Sequence, residues 1–182
     1  MKIKPEIKKI SKLGESRLFT IEQLDLQFSN GVKAKFERIR ANAGRAVMIA
    51  ALTAKQEVLL VREYAAGTER YELQLPKGIV EPGEQSLAAA NRELAEETGF
   101  AGQQLQLLQT MRVSPGYFDH LTDLVLATEL VEKTLDSGDE PEPLDVIAWP
   151  LDRIDELFQR EDFSESRSFA GILLVLRKLG LS

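Results

Sequence analysis

Between Gly78 and Phe100 the chain reads GIVEPGEQSLAAANRELAEETGF, and this stretch gathers the residues best suited to chemistry. Glu93, Glu96 and Glu97 stand at i, i+3 and i+4, so on a helix their carboxylates crowd one face. Like charges at that spacing destabilise an isolated helix by roughly a few tenths of a kcal/mol per pair. Hard divalent cations such as Mg²⁺ or Mn²⁺ would reverse the penalty, because they take oxygen ligands of this kind. Glu84 lies just ahead of the helix, close enough in sequence for Arg92 to hold it in an ion pair. A solvated acidic surface helix is the plainer reading, and helical spacing alone leaves it favoured.

The elements that must position these groups are legible around them. Pro82-Gly83 is a turn, Ser86 a candidate N-cap and Thr98-Gly99 a glycine stop. At about 100° per residue, Leu87, Ala90 and Leu94 fall on one side and form the expected core stripe. Upstream, the alternating runs 18–28 and 32–40 flank Ser29-Asn30-Gly31, a strong hairpin signal. AVMIAAL (46–52) and EVLLVREY (57–64) read as buried strands, with further strands expected over 105–113 and 121–130. The Gly, Pro and acidic content of 136–143 marks a loop. A short strand then leads to a helix near 151–160, and an amphipathic helix is expected over 166–179. Strands outnumber helices and do not alternate strictly with them, so the fold class is α+β.

Composition narrows the function classes. A chain of 182 residues with 43% hydrophobic and 29% charged residues suits one globular domain with a small appendage. The formal charge of -6 argues against nucleic acid polymers and anionic membranes as partners. Zero cysteines exclude disulfides, thiolate metal sites and cysteine nucleophiles, and suit a cytoplasmic protein. The basic start MKIKPEIKKI lacks the apolar run of a signal peptide, and no apolar run approaches the length of a membrane span.

The strict order is what sets the acidic helix apart. Gly78, five residues, Glu84, seven residues, Arg92-Glu93-Leu94, one residue, Glu96-Glu97, one residue and Gly99-Phe100 together match the Nudix box at every defining position. The chain therefore resembles the Nudix hydrolases from Ala46 onward. The resemblance implies an α/β/α sandwich around a mixed sheet and hydrolysis of a nucleoside diphosphate linked to another moiety. By position it makes Glu93, Glu96 and Glu97 the metal-binding carboxylates, with the backbone carbonyl of Lys77 or Gly78 completing the ligand set. Two to three Mg²⁺ or Mn²⁺ ions are implied. Gly78 and Gly99 become structural glycines, and Glu84 and Arg92 a brace. Such ions would neutralise a pyrophosphate and lower the pKa of a bound water. Glu96 belongs to the catalytic set as well as the metal set. A further carboxylate would position or deprotonate the water. In the ADP-ribose pyrophosphatase branch that base lies on a mobile loop, which makes Glu142 the first candidate here and Glu140 the second. An exposed acidic loop is the alternative for both.

Residues outside the box bear on the substrate. Pro115 lies sixteen residues after Gly99 within Ser114-Pro115-Gly116, a feature resembling ADP-ribose pyrophosphatases. Tyr117 resembles instead the diadenosine polyphosphate hydrolases of the same superfamily. Glu63-Tyr64-Ala65 stands where many ADP-sugar pyrophosphatases carry Gln-Tyr-Arg. Taken with 16–31, 62–73 and GDEPEP, the chain is most similar to the ADP compounds hydrolases, which act on ADP-ribose, diadenosine di- and triphosphate and NADH. Strict ADP-ribose or ADP-sugar pyrophosphatases are the runners-up, and a non-catalytic nucleotide-binding module is a third reading, against which the intact box speaks. The resemblance divides the chain into an N-terminal β extension over 1–45 and a hydrolase domain over 46–182. It implies that the extension pairs two subunits in a homodimer. Arg38, Arg40 and Arg62 are candidates for phosphate or adenine contacts, with ordinary ion pairing as the plainer role for each. His120 is expected as a solvated loop residue, and Trp149 and Phe158 as packing for the last helices.

Overall fold

The computed structural model describes residues 2–133 and 141–181. They divide into two compact units: one comprises the residues to Gly44 with Arg112–Leu121, the other Arg45–Met111 with the residues from Thr122 on. The first unit thus takes in a segment that the sequence reading left with 46–182.

In the first unit, β1 (Glu6–Glu15) pairs antiparallel with β2 (Phe19–Gln27), which pairs antiparallel with the opening half of β3 (Lys33–Ala51). The expected hairpin joins β2 to β3. Gly31 takes φ 86°, which a side chain rarely tolerates, and the Asn30 carboxamide accepts from Val32 N at 3.1 Å. Sequence reading missed β1, because its lysines break the apolar alternation that marks a half-buried strand; most of its residues are exposed. It also split 32–40 from 46–52, whereas β3 is one strand of 19 residues.

The second unit is layered by the alternation of β3. Val47, Ile49 and Ala51 are fully buried on one face, together with Leu59, Val125 and Ala127. Ala89, Ala90 and Leu94 of α1 (Ser86–Thr98) cover that face. Met48 and Ala50 point the other way, where they join Leu60, Leu73, Leu75 and Leu124. That face is covered by Ile154 and Leu157 of α2 (Ile154–Phe158) and by Ile172, Val175 and Leu176 of α3 (Ser166–Leu179). Helices on both faces of a mixed sheet make the expected sandwich and α+β class. β6 (Lys77–Ile79) pairs with β3, and β7 (Phe100–Met111) with β8 (Phe118–Glu132). A second sheet has the order β5 (Arg70–Gln74), β4 (Glu57–Ala65), β9 (Asp145–Pro150). Among the described residues no helix is long and apolar enough to cross a membrane.

Local expectations are corrected in three places. Gln85, not Ser86, is the N-cap of α1, and the Ser86 hydroxyl donates to Asp123 Oδ2 at 2.7 Å instead. Leu87 is 39% exposed, and Ala89 takes its place in the stripe with Ala90 and Leu94. His120 lies within β8, half-buried and stacked on Phe118 at 5.4 Å between ring centroids. Phe158 packs with Phe163 and with Phe169 of α3, while Trp149 lies under the guanidinium of Arg160 at 5.7 Å.

Candidate active site

Helix α1 presents its glutamates because its opposite face is locked down. Ala90 and Leu94 are fully buried, and Asn91 accepts from Gly102 N at 2.8 Å, tying the helix to β7. Gly99 closes the helix at φ 75° with its N–H on the Ala95 carbonyl. At the other end, the Ser86–Asp123 bond belongs to a buried polar group. Asp123, 1% exposed, also accepts from Arg45 Nη1 at 2.7 Å and from Thr110 Oγ1 at 2.6 Å. Burial alone would raise its pKa, but the bonds from Thr110, Ser86 and Arg45 win and hold it below the ordinary aspartate value.

Arg92 spends all five of its N–H donors on the site. Nε and Nη2 grip Glu84 at 3.1 and 3.0 Å, a bidentate fork. Nη2 also donates to the Ile79 carbonyl at 3.0 Å. Nη1 bridges Glu93 Oε1 and Glu96 Oε2, each at 2.9 Å. One guanidinium therefore joins the loop before the helix, strand β6 and two of the three carboxylates. The fork on Glu84 raises the pKa of Arg92 and lowers that of Glu84. Burial raises the pKa of Glu93, against the opposing pull of Arg92.

Glu97 turns to strand β6 instead. Its Oε2 accepts from Lys77 N at 3.1 Å, and burial pushes its pKa up to about 8, with Lys77 offsetting only part of the cost. The Lys77 side chain turns to Glu63, whose Oε2 also accepts from Gln74 Nε2 at 2.5 Å. Gly78 explains itself by space. A Cβ there would lie 1.9 Å from the Glu93 carboxyl carbon and 2.2 Å from both of its oxygens, so only glycine admits the carboxylate against the backbone.

This arrangement bears on whether a divalent cation fits. The donors are hard oxygens on one helix face, one carboxylate rests on a bare Cα, and another is half-buried with Lys77 offsetting only part of its desolvation. That chemistry suits Mg²⁺ or Mn²⁺. Among the described residues no three acidic or histidine side chains converge on one point, and Glu93 and Glu96 both bond Arg92.

The remaining candidates are dispersed. Arg38 and Arg40 both approach Glu22, at 2.8 and 3.6 Å. Arg38, Pro115 and Tyr117 line a cavity of about 280 Å³ in the first unit, with Leu26, Phe36 and Arg112. Arg62, in the second unit, donates to Asp162 at 2.6 Å. Glu142 accepts from the Tyr71 hydroxyl at 2.5 Å, a bond that raises the tyrosine pKa. Tyr71 pairs with Tyr64 across β4 and β5, on the face opposite Glu63 and Gln74. Glu140 lies outside the described residues. Two groups escaped sequence reading: the Glu63–Gln74–Lys77 trio and the Asp123 cluster. Glu63 was visible only as a substitution, and Asp123 gave no local signal.

Comparisons with known proteins bear on the family. The NUDIX domain model matches residues 42–169, and the NudE-type Nudix hydrolase N-terminal domain matches residues 5–38. The chain is 44% identical to the ADP compounds hydrolase NudE of Escherichia coli over 172 residues, covering 94% of this chain and 91% of that protein. It is 30% identical to the ADP-ribose pyrophosphatase of Bacillus subtilis, covering 85% and 83%. A methanol dehydrogenase activator of Bacillus methanolicus is 28% identical, covering 90% and 88%. A crystal structure of an ADP compounds hydrolase superposes with a TM-score of 0.91 at 42% identity, covering 100% of this chain and 99% of that one. With the box geometry and the domain match together, the chain belongs to the Nudix hydrolases.

Proposed function

We propose that the chain is a divalent-metal-dependent pyrophosphohydrolase that cleaves ADP-containing compounds. ADP-ribose, diadenosine di- and triphosphate and NADH are the expected substrates, with AMP released from many of them. The observation that carries the reading is the Arg92 hub, which bonds Glu84, Glu93 and Glu96 on the helix that also carries the half-buried Glu97. The similarity to the Escherichia coli ADP compounds hydrolase supports the substrate class.

In this reading Glu93, Glu96, Glu97 and the carbonyl of Lys77 or Gly78 hold two to three Mg²⁺ or Mn²⁺ ions. When bound, such ions neutralise pyrophosphate oxygens and lower the pKa of a water. The chain's own residues do the rest. Arg92 keeps two carboxylates oriented, so no reorganisation is needed when substrate arrives. The water oxygen bonds to phosphorus, the bridging P–O bond breaks, and the proton of the water passes to a carboxylate. Glu142 takes that role once it leaves Tyr71, or else Glu140 does; Glu142→Gln and Glu140→Gln, assayed singly, separate base from bystander. Equal, mild effects would place the base elsewhere. Arg38 and Arg40 would serve substrate only after release from Glu22, and Arg62 is already committed to Asp162.

The first unit leaves Ile7, Ile10, Leu13 and Phe36 exposed, which supports its use in a homodimer. A cytoplasmic location accords with the absence of cysteine. The test is turnover of ADP-ribose, ADP-glucose, NADH and diadenosine di- and triphosphate with Mg²⁺ or Mn²⁺. Activity confined to ADP-ribose or ADP-glucose would point to a strict pyrophosphatase, and no turnover on any of them would leave a nucleotide-binding module.

A further inference from the structure

Lys77 carries a cation into the middle of an acidic site, and its backbone cannot move away. Its N–H is bonded to Glu97, and it is paired with Met48 in the β3–β6 ladder. Only the side chain is free to choose, and Glu63 and Glu97 are the carboxylates near it. It takes Glu63, in a pair whose side chains are only 24% and 26% exposed. Water therefore screens the pair weakly, and losing one partner strands the other. Glu63 is itself fixed, because the same Oε2 accepts from Gln74 Nε2, and Gln74 is 5% exposed. Cross-strand pairing sets this up: Gln74 lies opposite Val61, one diagonal step from Glu63 on the same face.

We infer that Glu63 is a positioning residue that holds the Lys77 ammonium off Glu97 and so keeps that carboxylate open to a divalent cation. The inference rests on the metal-dependent reading above. Glu97 is half-buried and bonded to the Lys77 backbone, so an unanchored ammonium on that same residue is drawn to it. A lysine in that place competes with the ion directly. Gln74 acts one step further out, by fixing the anchor.

The experiment is Mn²⁺ binding to the purified full chain without substrate, followed by the electron paramagnetic resonance of the free ion. Glu63→Ala should weaken binding about tenfold, and Glu63→Ala with Lys77→Met should return it to within about twofold of the wild type. Lys77→Met alone should bind at least as tightly as the wild type. Glu63→Gln, which keeps the shape and the oxygen acceptor but not the charge, should weaken binding less than Glu63→Ala and covers the case in which the alanine variant fails to fold. Wild-type affinity in both Glu63 variants would overturn the inference alone. So would a double variant as weak as Glu63→Ala, since Glu63 would then act on the cation or the fold without Lys77. Absence of Mn²⁺ binding by the wild type would overturn the metal-dependent reading and this inference with it.

Discussion

In the unit that holds α1, two buried clusters enclose the sheet, and charged side chains reach across long stretches of chain: Arg45 to Asp123, Arg62 to Asp162. In the unit built on β1 and β2, Leu24 is the one apolar side chain among the described residues that reaches full burial, at 7% exposure. Its ion pairs are local or between neighbouring strands, as in Lys12–Glu15 and Arg38–Glu22. Ile10 and Phe36 stay 48% and 47% exposed. One unit thus encloses two buried clusters, whereas the other leaves nearly all of its large apolar side chains at least partly exposed. Catalytic preorganisation fits the first condition, and association with a second copy fits the other.

The contrast can be broken by substitution. Gly78→Ala should cut turnover by about a hundredfold or more while leaving the melting temperature nearly unchanged. The added methyl collides with the end of a flexible side chain, so Glu93 moves and the fold does not. Near-normal turnover would mean that the position of Glu93 does not matter. Leu94→Ala should cost about 2–5 kcal/mol in denaturant unfolding, because it empties a fully buried site. Ile10→Ala should cost no more than about 0.5 kcal/mol in the same measurement. Comparable losses for the two would erase the distinction between the units. Ile10→Asp with Phe36→Asp should instead shift the sedimentation of the protein toward the monomer.

The smallest effect concerns pH. The bond from Arg160 holds Asp162 down from 3.8 to about 2; burial opposes this, and Arg62 adds to it. Because the folded pKa is depressed, the stabilisation is fully present above pH 3.8 and is lost as pH falls through about 2. The stability advantage of the wild type over Asp162→Asn should therefore shrink across that window and stay flat above it. A constant difference at all pH values would show that Asp162 contributes by shape alone.

What was legible in the sequence is what short-range physics dictates. Asn30-Gly31 announced its hairpin, Gly99 its helix stop and the Ser166–Leu179 stripe its helix, each within a few residues. The Glu84–Arg92 pair was within reach across one turn and a loop. The misses are long-range. Ser86 looked like a cap until Asp123, 37 residues away, claimed its hydroxyl. Leu87 fitted the helical stripe, but the sheet face that α1 meets is met by Ala89 instead. Glu63 and Lys77 become partners only when β4, β5 and β6 come together, 14 residues apart in sequence. Spacing therefore revealed which carboxylates share a helix face, and packing revealed what they bond to.

Glu97 is the carboxylate of the box that accepts from the backbone of Lys77. The direct measurement is Mg²⁺-dependent release of AMP from ADP-ribose by the wild type and by Glu97→Gln, with folding checked by circular dichroism. The expected result is a loss of activity by orders of magnitude at an unchanged fold. A Glu97→Gln protein that turns over near the wild-type rate would contradict the assignment of α1 as the metal-holding element.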